Sequence, residues 1–124
     1  MPKIINVTGT KCPTKGLAKF DKWYTENHIP DMMAAFPRLK KATRFKIAGT
    51  STIEKFRISG KKVPEYPQFI TIYEFDSKKA FDDFNTDPAL DASRKDWVNI
   101  AKQTGAEVTF RAQYEYMVAI TNKK

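Results

Sequence analysis

The sequence predicts one α+β domain with strands and helices in the order β-α-β-β-α-β. Two segments, 3–10 and 68–75, alternate in side-chain type as strands do. Between and after them, helical spacing and helix-capping residues mark two helical regions. The chain has 124 residues, the size of one domain spanning 1–124. This order is that of the ferredoxin-like fold, an antiparallel four-stranded sheet with two helical regions on one face.

The first strand and the first helix are read from their spacing. In 3–10, Ile5 and Val7 alternate with Asn6 and Thr8, which predicts a strand with one buried face. A helix is expected from about residue 15. Its inner stripe is Leu17, Phe20, Tyr24 and His28, at spacings of three and four.

Pro30 is expected to limit this helix, because the residue before a proline is pushed out of the α region. The segment 30–36 then predicts a second short helical turn with Pro30 near its first position. Pro37 ends that turn, and 39–49 predicts the second strand.

The second half of the chain begins with a long connection, 50–67, in which Pro64 and Pro67 exclude a central strand. After the strand 68–75, Ser77 is expected to cap a helix over 78–84. A longer helix follows, with four residues expected to be buried: Leu90, Trp97, Ile100 and Ala101.

That longer helix should begin at a cap formed by Asp87 and Pro88 and end at Gly105. The last strand is predicted over 107–120.

The strand 68–75 predicts a second subunit. Both of its faces carry large apolar residues, with Ile70 and Ile72 opposite the face of Tyr73. Helices can cover only one face, so the other is expected to meet the same sheet of a second copy in a closed homodimer.

Composition excludes several classes of protein. No stretch approaches about 18 apolar residues, so no membrane span is expected. The N-terminus has no signal-peptide pattern, and the single Cys12 cannot form an internal disulfide, so a cytoplasmic location is expected. The formal charge is +8, but it is scattered lysine, which disfavours nucleic acid as the partner.

An RNA-recognition motif shares this order of elements and needs aromatic side chains on its central strands for base stacking. The strand 68–75 lacks the glycines of that motif and places Ile70 and Ile72 at the stacking positions. We therefore expect no specific nucleic-acid binding.

Two stretches, "FDKWYTENHIPDMMAAFPRLKKATRF" and "PQFITIYEFDSKKAFDDFNTDPAL", resemble the EthD-like proteins of the dimeric α+β barrel superfamily. The resemblance rests on the aromatic pair Trp23-Tyr24, the His-x-Pro of residues 28–30, and Pro37. It also includes Phe-Asp-Ser at 75–77 and Asp-Pro at 87–88, and it extends over about residues 1–118. The segment 50–67 departs from the family.

The resemblance implies two ferredoxin-like subunits whose sheets form a dimeric α+β barrel, with a pocket between helices and sheet in each subunit. Relatives include lactone isomerases, aromatic polyketide cyclases and decarboxylases that use no metal or organic cofactor. It therefore implies a cofactor-free lyase or isomerase acting on a small apolar oxygenated molecule, either aromatic, lactone or polyketide-like. Some cyclase-like relatives carry a second histidine that this chain lacks.

The candidate catalytic residues are His28, Tyr24 and Tyr73. An imidazole can accept and return a proton near neutrality, and a tyrosine can donate to a developing oxyanion. His28 lies one helical turn after Tyr24, so the two should face the same side. The expected substrate-binding walls are Ile5, Val7, Phe20, Thr71, Leu90 and Trp97.

Structural roles remain open for these residues. His28 could cap carbonyl groups at a helix end, and Trp23, Tyr24 and Tyr73 could be core residues. A second hypothesis is a non-catalytic protein that binds a small hydrophobic molecule. With one histidine and one cysteine in the chain, no zinc site is expected.

Overall fold

In a computed structural model, residues 4–49 and 66–123 are described, and they form the predicted ferredoxin-like α+β fold. The first half contains β1 (Ile4–Lys11), α1 (Thr14–Trp23), a π-helical turn (Tyr24–His28), α2 (Ile29–Ala35) and β2 (Leu39–Lys46). The second half contains β3 (Phe69–Phe75), α3 (Lys78–Phe84), a 3-10 turn (Pro88–Leu90), α4 (Asp91–Thr104) and β4 (Glu107–Glu115). Most of the connection predicted over 50–67 lies outside the described residues.

The four strands form one antiparallel sheet in the order β2-β3-β1-β4. All of the described helices pack on one side of the sheet, which we call the inner face. Its contacts include Phe20 of α1 with Phe69 of β3, at a ring-centroid distance of 6.3 Å, and Phe36 with Phe75, at 6.5 Å. None of the helices within the two described ranges is long and apolar enough to cross a bilayer.

The other side of the sheet, the open face, is apolar at its centre and carries Lys41 and Glu74 toward one end. Its residues follow from the pairings Val7 with Ile72, Gly9 with Ile70, and Phe45 with Ile70. None of the described helices covers it, and 52% of the Phe45 surface and 54% of the Tyr114 surface are exposed. The expectation that Ile70 and Ile72 lie on the side of the sheet away from the helices is confirmed.

The prediction that Pro30 interrupts the first helical region is wrong. The backbone stays helical from Thr14 to Ala35, and Tyr24 and Ile29 both have right-handed helical angles. The π-helical turn places the Ile29 N–H on the Tyr24 carbonyl, a bond to the fifth preceding residue. Pro30 follows directly after this wider turn, near the first position of α2, so the predicted second helical segment with Pro30 near its start is confirmed.

The assignment of faces in β1 is also corrected. Thr8 and Thr10 lie on the inner face, opposite Thr71 and Phe69, and are buried. Ile5 and Val7 lie on the open face and are only partly buried. Alternation alone gives two faces without saying which one the helices cover, and here they cover the more polar one.

The cap at Ser77 is confirmed, whereas Asp87 caps the 3-10 turn Pro88–Leu90 and not the longer helix, which begins at Asp91 without a side-chain cap. The Ser77 hydroxyl accepts the Ala80 N–H at 3.0 Å, and the Asp87 carboxylate accepts the Ala89 N–H at 2.9 Å. Gly105 ends α4 with φ of 80°, a left-handed conformation that glycine adopts without steric cost.

Strand β4 is shorter than predicted. It ends at Glu115, and the apolar segment 116–120 continues outside any strand. Strand β2 likewise ends at Lys46 rather than residue 49.

Candidate active site

A cavity of about 290 Å³ lies between the inner face of β1 and β4, the π-helical turn and α4. Strands and helices both contribute to its lining: Thr8, Thr10, Tyr24, His28, Met32, Tyr73, Phe84, Leu90, Ser93, Arg94, Trp97, Val98, Val108 and Arg111. All three predicted catalytic side chains are among them. His28, Tyr24 and Tyr73, which were expected to face one space, therefore line the same cavity.

The π-helical turn sets the position of His28. Its ring stacks on Trp23 with centroids 4.7 Å apart and planes at 21°. Residues five apart on an α-helix differ in direction by about 140°, so such stacking needs a wider turn. The ring also meets the edge of Tyr24 at 5.1 Å and lies 6.1 Å from Trp97.

The imidazole of His28 is neutral at neutral pH. Burial among aromatic rings lowers its pKa from 6.5 to about 4, because the charged form loses hydration. Its Nδ1 atom is buried and has no hydrogen-bond partner within the described ranges. The imidazole does not cap helix carbonyl groups there, which removes the main structural explanation for its position.

The hydroxyl groups of Tyr24 and Tyr73 share a hydrogen bond, and both residues line the cavity together with His28. Tyr24 is 2% exposed and Tyr73 5%. Burial, followed by the neighbouring Tyr24, raises the pKa of Tyr73 well above 10. Tyr73 therefore keeps its proton over the neutral range. Within the pair one hydroxyl donates to the other, which leaves the second hydrogen available to a ligand.

Arg44 supports this tyrosine pair from β2. Its guanidinium carbon lies 4.6 Å from the centre of the Tyr24 ring and 4.8 Å from that of Phe69. Its Nη1 donates to the Asp21 carboxylate at 2.6 Å and to the Thr25 hydroxyl at 2.8 Å. These contacts fix the Tyr24 ring between a cation and the aromatic residues of the helices.

The predicted substrate-binding residues divide into three groups. Leu90 and Trp97 line the cavity as expected. Phe20 and Thr71 lie on the helix side of the sheet but behind the lining, and Phe20 packs on Tyr24 and Trp97 with centroids 5.6 and 5.5 Å apart. The prediction for Ile5 and Val7 is wrong, because both lie on the open face.

Sequence reasoning missed the polar part of the lining, above all Thr8, Arg94 and Arg111. In β4 the alternation places Phe110 and Ala112 on one face and Arg111 on the other. The apolar face would ordinarily be assigned to the core. The register shows that the face with Arg111 is the one toward the helices, since Arg111 pairs with Thr8 of the inner face. No local signal in the sequence reveals this reversal.

Within residues 4–49 and 66–123, no group of three or more histidine, cysteine, aspartate or glutamate side chains could hold a metal ion. The chemistry that these residues themselves offer is proton transfer at His28 and hydrogen-bond donation from the tyrosine pair.

No protein-family model matches the chain, and no curated protein sequence matches it significantly. Several solved structures do match the fold of the chain. An EthD family protein from Bacillus halodurans is 18% identical, with a TM-score of 0.59, 93% of this chain covered and 99% of that one. SnoaB, a cofactor-independent oxygenase from Streptomyces nogalater, is 10% identical, with a TM-score of 0.60 and coverage of 98% and 100%. A dimeric ferredoxin-like protein of unknown function from Bacteroides fragilis is 17% identical, with a TM-score of 0.52 and coverage of 91% and 95%.

At these identities the similarity shows the fold alone. The ferredoxin-like architecture is confirmed, and the resemblance to an EthD family protein is confirmed as a structural similarity along nearly the whole chain.

Proposed function

We propose that the chain is a cofactor-free enzyme of the lyase, isomerase or cyclase type, acting on a small apolar oxygenated ring compound. The observation that carries the proposal is the neutral His28 at the cavity wall, with a buried Nδ1 that no described residue engages. A buried imidazole without an internal partner is a feature of sites that exchange protons with a ligand.

In the proposed reaction His28 removes a proton from a carbon next to a carbonyl group. The electrons of the C–H bond form an enolate, whose oxygen accepts a hydrogen bond from the hydroxyl pair of Tyr24 and Tyr73. The imidazolium then returns the proton to a different carbon, or to a leaving oxygen, and neutral His28 is restored.

The pKa of His28 restricts the substrate. A base with a pKa of about 4 is weak, so proton transfer is efficient only from a carbon whose C–H bond is unusually acidic. Carbon between two carbonyl groups, or between a carbonyl group and an aromatic ring, meets this requirement. Trp97, Leu90 and Met32 supply the apolar surface for such a ring.

Hydrogen exchange of carbonyl compounds in heavy water tests this function directly. We expect the wild-type protein to accelerate deuterium uptake at the activated carbon of β-tetralone, and of the corresponding benzo-fused lactone, followed by proton NMR. His28→Gln should reduce that acceleration by about 10²-fold to 10⁴-fold, the usual contribution of a general base.

Asn27→Gln is the matched control, because Asn27 is an exposed neighbour in the same π-helical turn. It should exchange as the wild type does. Binding of these compounds without accelerated exchange would contradict the enzyme and support the alternative, a non-catalytic protein that binds a small hydrophobic molecule. Equal exchange by His28→Gln and the wild type would remove His28 from the mechanism.

We further propose a homodimer formed through the open faces of two sheets. Val7, Ile70 and Ile72 lie at the centre of that face, and Phe45 and Tyr114 lie nearer its edges. An apolar surface across four strands is unusual on a monomer. The Bacteroides fragilis structure with the same fold is that of a dimeric protein, which supports this arrangement.

A further inference from the structure

Arg111 is a cation in the cavity wall that has no hydrogen-bond or ion-pair partner among the described residues. It projects from β4 into the lining. Arg94, on the facing helix, differs. Its guanidinium donates to the Asp91 carboxylate at 2.8 Å and to the carbonyl groups of Asp87, at 3.0 Å, and Phe84, at 2.8 Å.

Thr8 adds a hydrogen-bond donor next to Arg111. The two residues are paired across β1 and β4 on the inner face, and both line the cavity. The Asn6 side-chain amide donates to the Thr8 hydroxyl oxygen at 3.0 Å. Because that bond occupies the oxygen as an acceptor, the Thr8 hydrogen is available to a group in the cavity.

The charge of Arg111 is not balanced within the cavity. Among the described residues that line it, none is an aspartate or a glutamate, and Asp91 already pairs with Arg94. The remaining surface is mostly apolar. A concave site of this kind attracts an anion and disfavours a cation.

We propose that the ligand is an acid, a ring compound whose carboxylate is bound by the Arg111 guanidinium and the Thr8 hydroxyl. The ring would then extend along Trp97 and Leu90, with its activated carbon toward His28. This inference deepens the proposed function and rests on it for the reaction, although the anion site itself can be tested by binding alone.

A matched pair of probes separates charge from shape. We expect calorimetric titration at low salt to show that a naphthoate binds the wild-type protein about tenfold to 100-fold more tightly than the naphthamide of the same substitution. Charge-assisted hydrogen bonds have this strength. Arg111→Met should bind the two probes almost equally, and Arg111→Lys should keep part of the preference.

Lys95→Met is the control, because Lys95 is an exposed cation of α4 outside the lining, and its loss changes the net charge equally. It should keep the preference of the wild type. Since Arg111 is exposed and has no described partner, Arg111→Met should fold normally, which circular dichroism checks.

Two results would overturn the anion site: equal binding of both probes by the wild type, or an undiminished preference in Arg111→Met. The outcomes of the exchange experiment are independent. A preference for naphthoate without deuterium exchange would support the anion site and contradict the proposed enzymatic reaction. Deuterium exchange without that preference would support the reaction and contradict the anion site.

Discussion

At the scale of single residues, the environment of His28 decides what the site can do. It is the only histidine of the chain, and the structure surrounds it with Trp23, Tyr24 and Trp97 rather than with carboxylates. No anion among the described residues favours the charged form, so burial sets the direction in which its pKa is shifted, which is downward. The result is an imidazole that stays neutral, and so able to accept a proton, throughout the neutral range.

The pKa of His28 predicts how stability depends on pH. Below pH 6.5 the unfolded chain binds a proton at His28, while the folded chain binds it only near pH 4. The unfolded state therefore binds more protons in this window, and the free energy of unfolding falls as pH falls from 6.5 to 4. At about 1.4 kcal/mol per pKa unit, we expect His28 to contribute a loss of about 2 to 3 kcal/mol.

Urea denaturation at a fixed protein concentration, repeated between pH 7 and pH 4, measures this loss. His28→Gln lacks the titrating group, so its stability should fall less steeply over the same window. Parallel pH dependence of the two proteins would contradict a buried, neutral His28.

At the scale of secondary-structure elements, the helices pack on the more polar side of the sheet, whereas the more apolar side would ordinarily be expected to face them. Thr8, Thr10 and Arg111 lie on the helix side of the sheet, while Val7 and Phe110 lie on the open face. A polar inner face is suited to a cavity that binds an oxygenated ligand. An apolar open face is suited to contact with a second sheet.

This reversal limits what the sequence can predict about the site. The strands, their two-faced character and the cap at Ser77 follow from local patterns, and the structure agrees with them. The choice of face depends on which side the helices pack, which no local pattern encodes. Alternation in the sequence therefore predicts the wrong side for Ile5 and Val7, and it does not predict Arg111 in the cavity wall.

The π-helical turn illustrates a second limit. The rule that proline ends a helix is local, and it predicts a break at Pro30. The wider turn over Tyr24–His28 carries the helix past that proline, because Ile29 bonds to the fifth preceding carbonyl. Sequence reasoning still placed His28 and Tyr24 together, since residues four apart remain neighbours in the wider turn.

At the scale of the whole molecule, the two sides of the sheet have separate roles in this account. The inner face, with α4 and the π-helical turn, encloses the cavity of one chain. The open face would close the dimer, with Ile72 near its centre, where β3 lies between β2 and β1.

The dimer can be tested by molar mass. We expect light scattering after size-exclusion chromatography to give about twice the 14.3 kDa of one chain. Ile72→Lys should lower the apparent mass toward that of the monomer, because a charge buried in an apolar interface costs several kcal/mol. Asn99→Lys, which adds the same charge on the exposed side of α4, should remain dimeric. A monomeric wild-type protein at micromolar concentration would leave the open face to a different partner.

An NMR pH titration of the His28 ring protons tests directly whether this imidazole is buried and neutral. With one histidine in the chain, the assignment needs no mutagenesis. A pKa close to 4 is predicted, and it would establish a neutral imidazole within the cavity, where it can act as a base. A pKa near 6.5 would show that the ring is solvated and would contradict the proposed site.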